Sequence, residues 1–339
     1  MAKSKNILKY FLGFLIVLIF FEIFFSCSEL ILPSKQLNKF KLKPGARIFD
    51  AREGLYLGKI NKFGYLGPEY PKQKSEENLR IALVGDSFVE GFQVLEKFHF
   101  RSLIEQRLSK KIGKKVEVLN FGRSGFDFLS MYAYYKNFVS QFAPDITLFF
   151  VAQDDFVENS NEWVYYDTIR SELVVDTSEL YFEDQNLIKE KLKGRFSTPP
   201  LASNCLVMIE KKQTADILFG NYNFVTNNKF TASNIEKLED VDTITHLVNH
   251  ALNDLITSEK QVKRNSIYFV TFKELPELLA YKEQEFPGMI LDISNELIHI
   301  EKSGKKLNYW KAKNIVGHYN HEGHDIISNL ILKKLTEFL

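Results

Sequence analysis

The sequence predicts an α/β protein: a three-layer, doubly wound parallel sheet of five strands. Three observations predict it. Ile81 to Val84 is a short continuous apolar run ending on Gly85-Asp86-Ser87, as expected of a strand buried on both faces. Four further strand-like runs follow, with helical patterns between them. Apolar residues make up 45% of the 339-residue chain, enough for a sizeable core.

The strand candidates are Arg80–Val84, Val116–Asn120, Asp145–Val151, Ser266–Thr271 and Met289–Asp292. Helical patterns fall near Phe100–Lys111, Phe128–Phe142, Val241–Ser258, Glu274–Glu285 and Glu322–Phe338. Right-handed crossovers then limit the topology to a doubly wound sheet. The rhythm breaks at about 156–263, a stretch too long for an ordinary connection and too aromatic for a linker. It reads as a mostly helical insertion over the edge of the sheet where the strands end, shaping a substrate pocket or a partner-binding face. The net charge of +1 gives no argument for nucleic acid.

The first 28 residues differ from the rest. Lys3, Lys5 and Lys9 precede the apolar run Tyr10–Phe21, and Glu22 separates it from Ile23-Phe24-Phe25. A helix from Ile7 to Phe25 would be about 28 Å long, close to a hydrocarbon core of about 30 Å. Basic residues on its N-terminal side orient the remainder outward, which predicts an uncleaved signal anchor and a domain outside the cytoplasmic membrane. Ser26-Cys27-Ser28 offers the alternative of a cut or a lipid attachment. Residues 29–78 read as an extracytoplasmic spacer and lead-in, and 79–339 as the folded domain. Two isolated cysteines, Cys27 and Cys205, make no disulfide framework or metal spacing, and no cofactor is expected.

Parallel strands point the same way, so the segments that follow them gather at one edge, where open α/β sheets bind ligands. Ser87 follows the first strand. Asn120-Phe121-Gly122-Arg123-Ser124-Gly125 ends the second, and Ala152-Gln153-Asp154-Asp155 follows the third. Gly317-His318-Tyr319-Asn320-His321-Glu322-Gly323-His324 precedes the last helix. A serine hydroxyl becomes a nucleophile when a base takes its proton, and His318 is the candidate base. His321 and His324 read as turn and helix residues, and no HExxH-type metal spacing occurs.

These four segments resemble the four sequence blocks of the SGNH (GDSL-type) hydrolase superfamily. Gly85-Asp86-Ser87 with Gly91 is similar to the nucleophile block, and Asn120 to Gly125 to the second block, whose last glycine gives an oxyanion-hole amide. His318-x-Asn320-x-x-Gly323-His324 is similar to the block carrying the base. The resemblance implies a flavodoxin-like fold and a catalytic set of Ser87, His318, Gly125 and Asp154.

Two positions depart from the family pattern. Asp154 stands where the third block has an asparagine donor, and an ionised carboxylate donates nothing unless an apolar site keeps it protonated. The triad acid is expected two or three residues before the base, where this chain has Val316 and Ile315. His318 then lacks the carboxylate that fixes its tautomer, and the sequence names no substitute. The resemblance implies a membrane-anchored serine esterase or O-acyltransferase acting on O-acyl groups, acetyl foremost, of a cell-surface carbohydrate. The two departures leave a weak or non-catalytic glycan-binding scaffold as the alternative. An apolar groove over Ser87 would instead suit a lipid esterase or thioesterase.

Overall fold

The computed structural model describes residues 9–20, 30–31, 42, 44–45, 47–157, 164–167, 172–175, 241–261, 266–285 and 287–339. Much of the predicted insertion, both cysteines and the two ends of the N-terminal apolar segment lie outside the described residues. Residues 9–20 are helical and exposed along their whole length. Among the described residues no helix is long and apolar enough to cross a membrane.

Five strands form one parallel sheet: Leu79–Gly85 (β1), Val116–Gly122 (β2), Ile146–Val151 (β3), Ser266–Thr271 (β4) and Ile290–Asp292 (β5). Their spatial order is β5-β4-β3-β1-β2. Every neighbouring pair is parallel. The order reverses at β1, which lies between β2 and β3, so the crevice at its C-terminal end is the topological switch point. All five strand expectations hold to within two residues at either end.

Helices cover both faces, as buried strands require. Phe128–Asn137 (α3) and Val241–Gln261 (α5) contribute to one core with Val84, Phe121, Phe149 and Phe269. Phe100–Ile112 (α2), Ser294–Lys302 (α7) and His321–Leu335 (α8) contribute to the other with Ile81, Leu83, Leu148 and Val270. Successive residues of β1 thus alternate between two apolar cores.

Some boundaries move for local reasons. The expected helix over Phe128–Phe142 stops at Asn137 and continues as a 3-10 turn over Val139–Phe142. Glu277–Glu285 (α6) begins after Pro276 rather than at Glu274, because the residue before a proline is driven out of helical geometry. Helix α7 was not expected; Asp292 starts it by accepting from the Ser294 amide at 2.9 Å.

The lead-in folds onto the domain. Arg47–Asp50 and Tyr56–Lys59 pair antiparallel. Ile48, Tyr56 and Ile60 share a small core with Leu42, Leu66 and Phe92. Leu66 bridges to Asn120 of β2. The Leu55 amide donates to the Gln93 carbonyl at 2.9 Å, which holds the hairpin loop beside the segment that follows Ser87.

Candidate active site

Ser87 opens a single helical turn, Ser87–Glu90 (α1), directly after β1. Asp86 caps that turn by accepting from the Phe88 amide at 2.9 Å. Gly91 ends it in the left-handed region at φ 72°, and a Cβ there would meet the His99 ring at 2.1 Å. Strand, cap and stop therefore fix Ser87 at the switch point.

His318 sits in the loop before α8, and that loop is pinned on several sides. Asn320 caps α8 by accepting from the Gly323 amide at 3.0 Å. Its side-chain amide donates to the carbonyls of Lys306 at 2.7 Å and Tyr309 at 3.0 Å. The Trp310 indole donates to the His318 carbonyl at 3.0 Å. The Phe88 ring lies 4.7 Å from the imidazole, centroid to centroid.

The ring Nε2 of His318 lies 2.8 Å from Ser87 Oγ, and the ring Nδ1 lies 2.8 Å from Glu53 Oε1. The second Glu53 oxygen accepts from the His318 backbone amide at 2.7 Å. A carboxylate on Nδ1 selects the tautomer with hydrogen there, leaving Nε2 to accept from the serine hydroxyl. Burial pushes the Glu53 carboxyl up. The hydrogen bond and charge of His318, its backbone amide and Arg52 outweigh that and hold Glu53 below the ordinary value.

Glu53 fills the place that sequence reasoning left empty. It comes from the hairpin loop of the lead-in, not from the two residues before the base. Two glycines admit it. A Cβ on Gly317 would lie 2.5 Å from the Glu53 carboxylate, and one on Gly54 would lie 2.0 Å from the Gln93 carbonyl and 2.3 Å from the Trp310 ring. No local signal in Arg52-Glu53-Gly54 marks the glutamate, since the contact depends on where the hairpin docks.

Gly125 lies in the exposed turn after β2, with φ 78°. The turn is tied to the nucleophile's own turn. The Arg123 amide donates to the Gly85 carbonyl at 2.9 Å, and the Ser124 amide donates to buried Glu90 at 3.1 Å. The Ser124 hydroxyl donates to the same carboxylate. Desolvation raises the Glu90 carboxyl, with Arg123 and the Ser124 donors opposing.

Asp154 opens Asp154–Val157 (α4), after β3. Its carboxylate is 61% exposed and lies 3.5 Å from the Lys273 ammonium. Neighbouring Asp155 accepts from the Ala152 amide at 2.7 Å. Burial and the charge of Asp86 push Asp155 up to about 8.

His324 is a structural residue. It is buried, stacks on Phe100, and its Nδ1 accepts from the Phe100 amide at 3.2 Å. Desolvation holds it well below the ordinary histidine value. His321 packs edge-on against Phe98. Among the described residues no group of three or more His, Cys, Asp or Glu could hold a metal ion.

No family model matches the chain, and no curated protein matches it in sequence. Solved structures do resemble it. One is a lipolytic protein of the G-D-S-L family from Desulfitobacterium hafniense, at 11% identity and TM-score 0.36, covering 76% of this chain and 99% of that one. Another is the acetyl xylan esterase AlAXEase, at 9% identity and TM-score 0.40, covering 77% and 100%. A third is a two-domain esterase active on acetylated mannans, at 10% identity and TM-score 0.39, covering 77% of this chain and 49% of that one.

Proposed function

We propose that the chain is a serine esterase or O-acyltransferase that works through a Ser87–His318–Glu53 triad. The observation that carries the reading is the pair of 2.8 Å contacts on the two nitrogens of one imidazole. Ser87 Oγ attacks the ester carbonyl as its proton passes to His318 Nε2, and Glu53 stabilises the resulting imidazolium. The backbone amides of Ser87 and Gly125 receive the oxyanion. His318 then returns the proton to the departing alcohol, leaving an acyl-enzyme. A water or a sugar hydroxyl, deprotonated by His318, attacks that acyl group and releases Ser87.

With Glu53 behind the ring, the missing-acid argument for a non-catalytic scaffold falls away. An O-acetylated carbohydrate is the substrate class suggested by the sequence resemblance. The basic flank and apolar run of the N-terminus support a membrane anchor with the domain on the extracytoplasmic side.

Turnover of p-nitrophenyl acetate by the full chain, abolished in Ser87→Ala, tests the chemistry. Equal rates for the two proteins would overturn it. A C-terminal alkaline phosphatase fusion tests the topology: activity is expected, and an inactive fusion beside an active cytoplasmic reporter would reverse the orientation.

A further inference from the structure

Acyl transfer builds negative charge on the carbonyl oxygen, yet carboxyl groups cluster at the ends of the two strands β1 and β3, beside the nucleophile's turn. Asp86 precedes Ser87, and Asp154 and Asp155 follow the adjacent strand β3. Asp86 interacts electrostatically with Asp154, and Asp155 with both of the others. An ionised Asp154 beside a developing oxyanion would oppose the charge that the reaction must build.

One lysine faces this group. Lys273 lies two residues beyond the end of β4. Its ammonium lies 3.5 Å from Asp154 Oδ2 and 5.0 Å from the centroid of the Phe88 ring, next to Ser87 in sequence. It also lies 5.8 Å from the Phe272 ring. The field of Lys273 reaches Asp86 and Asp155 as well. The two aromatic faces favour a cation at this place, so the ammonium is directed to the mouth of the site. The ion pair itself is half-exposed, with side chains 42% and 61% accessible, and such pairs contribute little to folding.

We propose that Lys273 is a positioning residue for the reaction: it neutralises Asp154, so that an oxyanion can form beside a carboxylate that would otherwise repel it. The inference rests on the serine-esterase reading and adds to it a residue outside the four sequence blocks. It also gives Asp154 a place in the site as half of an ion pair.

The test is steady-state hydrolysis of p-nitrophenyl acetate by the full chain as wild type, Lys273→Met, Lys273→Arg, Asp154→Asn and the Lys273→Met/Asp154→Asn double variant, with melting temperatures alongside. Lys273→Met is expected to lower kcat by roughly tenfold to a hundredfold, below the loss of a direct oxyanion donor because the pair is solvent-screened, with KM and melting temperature nearly unchanged. Lys273→Arg should keep most of the rate. Asp154→Asn should restore most of it in the Lys273→Met background, because the charge needing neutralisation is gone. A Lys273→Met protein with wild-type kcat, or a loss that Asp154→Asn does not relieve, overturns the inference and leaves the triad standing. Wild-type turnover no faster than that of Ser87→Ala would instead remove the esterase reading, and this inference with it.

Discussion

Glu53 and His318 are 265 residues apart in the chain and 2.8 Å apart in the fold. The hairpin that carries Glu53 precedes the whole α/β sheet, and the loop that carries His318 follows it. Docking of the lead-in therefore brings Glu53 behind the imidazole and completes the proposed triad. Glu53→Gln keeps the side chain's shape but removes the charge that stabilises the imidazolium. It should lower kcat by about three to four orders of magnitude, with the fold retained by circular dichroism. A loss below about tenfold would show that another group supports the ring.

Gly317→Ala tests the same contact from the other side. Its new Cβ would meet the Glu53 carboxylate at 2.5 Å, so the carboxylate must leave Nδ1 or the loop must shift. The expected result is an activity loss approaching that of Glu53→Gln. In a Glu53→Gln background Gly317→Ala should add little, because the two act on one interaction. Additive losses in the double variant would assign Gly317 a different task.

The contact also predicts a pH dependence. Glu53 is held below its ordinary value of 4.5 in the folded state. A depressed carboxyl contributes stability that is present above the unfolded value and lost as pH falls through the folded one. The melting-temperature difference between wild type and Glu53→Gln should thus be constant above about pH 5 and shrink below about pH 4.5. A difference that widens on acidification would contradict the assigned direction.

Asp155 has the opposite sign. Pushed up to about 8, it holds a proton in the folded state that the unfolded chain releases near 3.8. That costs stability progressively as pH rises between the two values. Asp155→Asn mimics the protonated form and can still accept from the Ala152 amide. Its melting temperature relative to wild type should climb from pH 4 to pH 8 and level off above. A flat difference across that range would show that Asp155 is ionised throughout.

The parallel sheet was legible because Ile81 to Val84 in β1 and most of β3 are short apolar runs, buried on both faces and alternating with helical patterns. Ser87 and His318 were legible because each sits where a strand end or a helix cap forces a turn. Asn320 and Gly323 mark the second of these as clearly as Asp86 and Gly91 mark the first. Glu53 was not legible. Its partner is chosen by packing of Ile48, Tyr56 and Ile60 against Leu66 and Phe92, and nothing near it in sequence records that docking. Lys273 was missed for a related reason, since a lone lysine after a strand is an ordinary surface residue until its aromatic neighbours and Asp154 are placed around it.

The family pattern invites one engineering step that the structure argues against. Ile315 occupies a position where an aspartate would be expected to support the base, and Ile315→Asp would repair a triad that lacked its acid. Here Nδ1 already has Glu53, and the His318 backbone amide donates to the second oxygen of that carboxylate. Ile315 itself pairs with Trp310 in a short antiparallel ladder, and Trp310 holds the His318 carbonyl. An aspartate at 315 therefore adds a charge with no vacant donor on Nδ1, at a position that is half-buried against the ladder. A poorly solvated carboxyl there costs folding free energy. Ile315→Asp should lower the melting temperature and leave kcat unchanged or reduced. A rate gain at unchanged stability would show that Glu53 does not serve His318 during turnover, and that the acid position before the base is the one the reaction uses.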